Sequence, residues 1–578
     1  MVKKKSTLKN ILECIKKYRF SVIVSIILAF LSVILTLCVP LLVGAAIDNM
    51  ICAGNVDFQK VAHIAAIIAL CIIITALFQW IMSIINNKIA FGVCKDLRSK
   101  AFRHIQSLPI KYIDSHAYGD IVSRITADAE QLSDGLLLGF TQLFTGVVTI
   151  VGTFIFMVAI DWRIAMVVVL LTPLSFFVAK FVSKHTYDMF KKQSETRGEQ
   201  TAFINELISG QKVVKAFGKE EDMLNKFDII NDKLEKYSLR AIFYSSLVNP
   251  STRFINSLIY AGVGLAGALI TVSGGITVGA LTSFLSYTNQ YTKPFNEISG
   301  VIAEMQNAIA CAARIFELLD EKCEKETGSE VIIPDANGKI KVNNVSFSYS
   351  PEKPLIRNFN LNVNPGERIA IVGPTGCGKT TLINLLMRFY DVNSGEILID
   401  DIEIKDYKRQ ELRKRFGMVL QDTWLKTGTI KENIKIAKPD ASDEEIVAAA
   451  KAAHAHGFIR RLSNGYDTII TENDGTLSQG QKQLLCIARV MLKLPPMLIL
   501  DEATSSIDTR TEMKIQNAFS DMMKGRTSFI VAHRLSTIKE ADKILVMKDG
   551  SIVEQGNHEE LLAKQGFYAN LYNSQFAH

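Results

Sequence analysis

Two stretches of this chain are long and apolar enough to decide its class alone: Phe20 to Ile47 and Val61 to Ile85. About 20 mostly apolar residues suffice for a helix to cross a bilayer. Two more runs follow close together, Leu136 to Ile160 and Ile164 to Val182, with only Asp161-Trp162-Arg163 between them, which predicts a tight helical hairpin. A fifth run extends from about Ile242 to Val272. A sixth starts near Val278, after Ser273-Gly274-Gly275, and continues as helix towards Leu319. The last pair is weaker, because Asn249, Arg253, Asn289, Gln290 and Lys293 interrupt it.

The connecting segments set the orientation. Residues 48–60 are short and carry few basic residues, whereas 87–135 carry Lys88, Lys95, Arg98, Lys100, Arg103, Lys111 and Arg124. Residues 184–241 are again long and rich in Lys and Glu. The positive-inside rule places both long connections and both termini in the cytoplasm of a multi-pass cell-membrane protein. Helical periodicity, as in Phe203, Leu207, Val213, Val214 and Phe217, makes these connections continuations of the spans. Arg253 and Lys293 are candidates to meet an anionic substrate. Placement at the cytoplasmic membrane edge or internal pairing is the preferred reading for both.

Composition agrees. Of 578 residues, too many for one core, 48% are hydrophobic. The mean hydropathy is +0.19. The net charge of +7 is modest, and its Lys and Arg lie largely between apolar runs, as orientation requires, so no nucleic-acid partner is expected. Nine scattered cysteines contain no CxxC pair, which gives no disulfide framework or zinc site. Met1-Val-Lys-Lys-Lys precedes a run long enough to span, so an uncleaved anchor is expected rather than a signal peptide.

The second half reads as globular. A polar linker over 320–339 leads into strand patterns at Ile340 to Val345 and Arg368 to Val372. The second strand runs into Gly373-Pro374-Thr375-Gly376-Cys377-Gly378-Lys379-Thr380, the GxxxxGK[ST] phosphate loop, and Thr381 opens a good helix. Glycines let backbone N–H groups wrap phosphates, Lys379 neutralises them, and the Thr380 hydroxyl suits Mg²⁺. A later strand, Met497 to Leu500, ends in Asp501-Glu502. Two acids at a buried strand tip suit a cation: Asp501 for Mg²⁺, and Glu502 as general base or water-positioning group.

Leu477-Ser478-Gln479-Gly480-Gln481 resembles the LSGGQ signature of ATP-binding cassette (ABC) transporters. Gln421 resembles their Q-loop glutamine, Ser505-Ser506-Ile507-Asp508 their D-loop, and His533 their switch histidine. Tyr349 stands where the family places an aromatic that stacks on adenine. The resemblance covers the whole chain and is to a bacterial exporter-type half-transporter. It implies a multidomain fold: an all-α six-helix transmembrane domain (1–319) and an α/β P-loop nucleotide-binding domain with a helical subdomain (340–578). It further implies an ATPase in which Lys379, Gln421, Glu502 and His533 are catalytic. Thr380, Gln421 and Asp501 would hold Mg²⁺. ATP would contact Tyr349, the loop Gly373 to Thr381, and Ser478, Gly480 and Gln481. Each ATP would lie between one subunit's phosphate loop and another subunit's signature helix. Coupling helices are expected near Asp120–Ala129 and Glu206–Phe217, and Tyr112-Ile-Asp114 through Gly119-Asp120-Ile-Val-Ser-Arg124 resembles the first intracellular loop.

Two residues depart from the family's pattern. Gln479 replaces the first glycine of the signature, and a bulky side chain there would crowd the clamp on the partner's ATP. A heterodimer is therefore favoured over a homodimer. Lys426 stands where an aromatic is usual. The expected cargo is hydrophobic or amphipathic: drug-like, lipid or peptide. The first span starts near residue 20, which lowers the expectation of a leader-cleaving peptide exporter. A siderophore or metal-chelate importer on the same fold, or a regulatory partner subunit, is the alternative.

Overall fold

The computed structural model describes residues 2–50, 56–324, 337–350, 352–420, 423–471, 475–501, 507–531 and 535–576. Two compact units result: Met1–Gln106 with Ala117–Lys322, and Ser107–His116 with Cys323–His578.

The first unit is helical. It begins with α1 (Val2–Lys16), α2 (Arg19–Asp48) and α3 (Phe58–Ile105). The next helix, α4 (Ile110–Asp114), belongs to the second unit. Then come α5 (Tyr118–Ile125), α6 (Ala127–Leu138), a π-helical turn (Gly139–Leu143), α7 (Phe144–Ile160), α8 (Trp162–Ala216), α9 (Glu220–Val272) and α10 (Val278–Asp320). Among the described residues, four helical runs have the length and composition to cross a membrane: Arg19–Asp48, Phe58–Ile105, Tyr118–Ile160 and Glu220–Val272. The start of α8, Trp162–Pro173, is a shorter apolar stretch. Side chains such as Ile73, Trp80, Leu170 and Leu265 are exposed. Water would penalise so much uncovered apolar surface, whereas lipid covers it.

The α7–α8 hairpin is as tight as its sequence predicts. Asp161 alone leaves helical geometry, and its carboxylate accepts from the backbone N–H of Arg163 at 2.7 Å and of Ile164 at 3.4 Å. It thus caps α8. Lys293 pairs with Glu297 one turn along at 3.9 Å, and both are exposed. Pairing of this kind was one of the two readings preferred for Lys293.

At the far end of α10, Arg314 reaches Asp120 at 2.5 Å and Asp128 at 3.3 Å. Arg124 closes the group on Asp120 at 2.9 Å. These residues belong to the first unit. The short helix that joins the nucleotide unit is instead α4, upstream of the expected Asp120–Ala129. Pro109, with extended backbone before α4, starts a separate helix there. The other expected segment, Glu206–Phe217, comprises the last turns of α8 and its C-cap, Phe217.

The second unit is α/β. An antiparallel sheet has the order β2-β1-β4-β5, from β1 (Ile340–Phe347), β2 (Ile356–Val363), β4 (Ser394–Ile399) and β5 (Ile402–Glu403). The central sheet runs β12-β11-β3-β10-β9-β6. Its strands are β3 (Arg368–Val372), β6 (Phe416–Val419), β9 (Met497–Asp501), β10 (Thr527–Val531), β11 (Lys543–Lys548) and β12 (Ser551–Gly556). All pairings are parallel except that of β12 with β11. A small pair joins β7 (Gly428–Thr429) to β8 (Ile469–Ile470). Helices α11 (Lys379–Leu386), α12 (Arg409–Lys414), α13 (Ile430–Lys435), α14 (Asp443–Ala452), α15 (His456–Ile459), α16 (Gln479–Leu492), α17 (Thr509–Met523), α18 (Leu535–Lys539), α19 (His558–Ala563) and α20 (Phe567–Phe576) fill the rest.

Strand alternation builds two cores. Ile369, Ile371, Ile499 and Phe529 face the antiparallel sheet and α11. Ala370, Val372, Leu498, Leu500 and Ile530 face α16 and α17. Period-2 side chains on strands covered on both faces explain why these strands read as unbroken apolar runs.

Candidate nucleotide-binding site

The phosphate loop hangs from the C-terminal end of β3. Gly373, Gly376 and Gly378 have φ of 153°, 83° and 104°, a region that favours glycine. A Cβ on Gly373 would also lie 2.2 Å from the Met547 carbonyl oxygen, so space and conformation both demand glycine there. Cys377 is buried, and its carbonyl accepts from Gly550 N–H at 3.2 Å, which ties the loop to the β11–β12 turn. Lys379 Nζ donates to the carbonyls of Gly373 at 2.7 Å and Pro374 at 3.0 Å. Pro374, Thr375 and Thr380 are exposed at the mouth, whereas Thr381 is buried. Backbone N–H groups of such a loop and the start of α11 are of the kind that binds an anion.

Asp501 ends β9, one strand removed from β3. Val531 of β10 pairs with Ile371 on one side and with Asp501 on the other. Asp501 is therefore level with the last residues of β3, on the edge where the phosphate loop begins. This is the crevice outside the strand C-termini where open α/β sheets bind ligands. Gln421, Glu502 and His533 lie outside the described residues.

Tyr349 is 41% exposed, so a ring face is available for stacking. It is held edge-on by Phe347 and by Tyr390, each with centroids 4.9 Å away. Its hydroxyl accepts from Asn384 Nδ2 of α11 at 3.2 Å. Tyr390 in turn donates to Asp114 Oδ2 of α4 at 2.6 Å. Burial, then the bond to Asp114, raises the Tyr390 phenol well above its ordinary range. Asn384 and Tyr390 carried no motif, and Asp114 stood out only as part of the intracellular-loop resemblance; a Tyr-Asp pair so distant in sequence gives no local signal.

The signature segment is built differently. Ser478 caps α16 in a reciprocal box with Gln481: Gln481 N–H donates to Ser478 Oγ at 3.3 Å, and Ser478 N–H donates to Gln481 Oε1 at 2.9 Å. A Cβ on Gly480 would lie 2.6 Å from Thr511 Cγ2 of α17, so this glycine is needed for helix packing within its own subunit. Gln479 donates from Nε2 to Thr423 Oγ1 at 3.2 Å. The segment after Gln421 is pinned further. Asn433 is buried and exchanges bonds with the Lys426 backbone, both at 2.8 Å. Arg489 lies over the Trp424 ring, 5.9 Å from its centroid. Lys426 itself is exposed. Asp508 caps α17 through Thr511 N–H at 3.0 Å.

Comparison with known proteins agrees with both units. Residues 22–295 match the ABC transporter transmembrane region and residues 356–505 the ABC transporter family model. A Mycobacterium tuberculosis fatty acid ABC transporter ATP-binding/permease protein is 42% identical over 520 residues, covering 90% of this chain and 82% of the relative. A putative multidrug export ATP-binding/permease protein of Staphylococcus aureus is 36% identical over 583 residues, covering 98% and 100%. The solved structure of a bacterial Atm1-family ABC exporter with ATP bound matches with a TM-score of 0.78 and 28% identity, over 97% and 99% of the two chains. A helical membrane unit, a phosphate loop on β3 and a capped signature helix in one chain thus have one source: this protein belongs to the ABC transporter family, as an exporter-type half-transporter whose ATPase drives transport across a membrane.

Proposed function

We propose that this chain moves hydrophobic or amphipathic compounds out of the cytoplasm or inner leaflet of the cell membrane by alternating access. The observation that carries the reading is the complete phosphate loop on β3, level with Asp501, in a chain that also bears the membrane unit. The residues fit a metal–nucleotide pair. The glycine-rich loop leaves backbone N–H groups for phosphate, and Thr380 and Asp501 supply oxygen donors of the kind Mg²⁺ prefers. Gln421 would complete that set. Bound Mg²⁺ supplies charge neutralisation on the phosphate oxygens. Lys379 adds a positive charge there, Tyr349 stacks on the base, and Glu502 with His533 orients and deprotonates the attacking water. Both termini and the nucleotide unit lie on the cytoplasmic side. The fatty acid and multidrug relatives support an apolar or amphipathic cargo.

The decisive test is Glu502→Gln in the full chain reconstituted with its partner. ATP binding should persist while hydrolysis and transport of a fluorescent amphipathic dye cease; wild-type hydrolysis in that variant overturns the role of Glu502. A second chain is needed in either pairing, because the signature helix acts on another subunit's ATP. Gln479 at a glycine position favours a non-identical partner. The bond from Gln479 to Thr423 favours the homodimer, since it gives the side chain a place on its own subunit. Coupled ATPase of the purified chain alone would decide for the homodimer.

A further inference from the structure

Tyr349 stands on an aromatic base. Its ring is nearly perpendicular to those of Phe347 and Tyr390, at interplanar angles of 85° and 90° with centroids 4.9 Å away in both cases. Phe347 and Tyr390 are buried and also pack on each other, with centroids 5.7 Å apart. Edge-to-face contacts of this kind favour one orientation of a ring pair over others. The hydroxyl of Tyr349 is tethered separately, by Asn384 Nδ2 at 3.2 Å. Asn384 lies on α11, five positions beyond Lys379. The helix that opens at the phosphate loop therefore also holds the ring proposed to stack on the base.

Tyr390 is itself fixed from both sides. Arg388 has φ of 49°, a region rare for residues with a Cβ, and this bends the chain sharply after α11. Its buried guanidinium donates to the carbonyls of Ile404 at 3.0 Å and Tyr407 at 3.2 Å, and pairs with Asp391 at 2.9 Å. Arg409 closes on the other oxygen of Asp391 at 2.8 Å. The backbone around Tyr390 is thereby held, and the ring's hydroxyl end donates to Asp114 Oδ2 at 2.6 Å. Asp114 is the last residue of α4, whose Ile110 packs against the same core as Phe347 and Tyr390. Ser107–His116, which carries α4, is grouped with the nucleotide unit, although the chain on either side of it belongs to the membrane unit. Packing alone would be met by a Phe at 390; a phenol bonded to a carboxylate adds direction.

We propose that Asn384 and Asp114 are positioning residues for the nucleotide base: Asn384 sets the Tyr349 hydroxyl, and Asp114, through Tyr390, sets the plane against which a purine stacks. The proposal rests on the reading of Tyr349 as the base-stacking residue and deepens it. A ring fixed in its stacking orientation before the ligand arrives loses less freedom on binding, which raises affinity. The effect is confined to ligands that carry a base. The link also runs both ways: if Asp114 strengthens base binding, a bound base stabilises, by the same factor, the α4 arrangement that presents Asp114.

Hydrogen exchange of the full chain with its partner in nanodiscs, titrated with ADP or with ribose diphosphate, tests this. The two ligands share the diphosphate, neither turns over, and only ADP has a base. Protection of the phosphate-loop peptide around Lys379 reports occupancy of this chain's own site. ADP should half-saturate the wild type at far lower concentration than ribose diphosphate, and Tyr349→Ala should erase most of that gap. Asp114→Ala and Asn384→Ala should each raise the ADP midpoint ~3–10-fold, as for one lost hydrogen bond, and leave the ribose diphosphate midpoint in place. Asp114→Asn keeps an acceptor for Tyr390 and should recover much of the loss. At equal occupancy ADP should protect α4 more than ribose diphosphate does, and Asp114→Ala should remove that difference. Equal shifts for both ligands would mean general damage to the loop and overturn the proposal. So would an ADP midpoint that neither Ala variant moves while Tyr349→Ala still raises it; the stacking reading then stands without these supports. An ADP midpoint indifferent to Tyr349→Ala overturns the stacking reading and the proposal together.

Discussion

The two ends of the nucleotide site differ in what holds them. The phosphate loop is shaped by backbone geometry that glycine supplies: φ of 153°, 83° and 104° at Gly373, Gly376 and Gly378. Its N–H groups and Lys379 already surround an anion site within one chain. The signature end is held by side chains directed at its own subunit: Ser478 and Gln481 cap α16, Gly480 fits against Thr511, and Gln479 reaches Thr423. One end has the backbone of an anion site within this chain. The other is a capped helix N-terminus, which under the proposed function acts on another chain's ATP. Changes at the first end should therefore act on binding and chemistry directly, and changes at the second through helix placement.

Of changes at these two ends, the largest effect should come from Lys379→Ala. Removing the one charged side chain in the loop should lower ATP turnover by roughly 10²–10³-fold. ATPase assays of the full chain with its partner would measure this, and a loss below tenfold would break the contrast. Gly480→Ala should be next. Its methyl group would meet Thr511 Cγ2 at 2.6 Å and Ile507 Cγ2 at 2.9 Å. Overpacking of this kind costs ~1–3 kcal/mol. Thermal unfolding should show that loss, and turnover should fall on the order of tenfold with ATP affinity nearly unchanged. A large loss of ATP affinity would mean that Gly480 serves its own subunit's nucleotide.

Tyr390→Phe probes the support of the first end. It removes the bond to Asp114 but keeps the ring against Tyr349. One hydrogen bond to a charged acceptor is worth ~1.5 kcal/mol or slightly more. Hydrogen exchange should rise in α4 (Ile110–Asp114) and stay unchanged in α16. Equal protection in both would remove Asp114 from the scaffold.

How much of this was legible in the sequence follows the same division. GxxxxGK[ST] encodes its conformation locally, so Gly373 to Thr380 could be placed from residue types alone. The apolar runs were legible because a bilayer needs length and composition rather than pairing. Gly480 was legible as a signature glycine, but its packing against Thr511, 31 positions on, is visible only in the fold. A coupling helix was expected near Asp120–Ala129, within a loop resemblance that began at Tyr112, whereas the segment grouped with the nucleotide unit is Ser107–His116. Amphipathic periodicity fits both stretches, and only the Arg314 pairs with Asp120 and Asp128 tell them apart.

The smallest effect concerns acid. Asp508 caps α17, the helix against which Gly480 packs, and the Thr511 backbone N–H holds its carboxyl below the usual carboxylate range. A depressed folded pKa means that the ionised cap contributes in full above the unfolded value, about pH 4. The contribution disappears as pH falls through the lower folded value. Hydrogen exchange at the Thr511 amide of the full chain, corrected for its intrinsic pH dependence, should therefore lose protection only at the acid end. Asp508→Asn keeps a capping oxygen with nothing to titrate, so its protection should stay flat over the same range. The phosphate loop is held by backbone conformation and should show no matching change. A parallel loss of protection in both places would mean general acid unfolding and erase the distinction between the two ends.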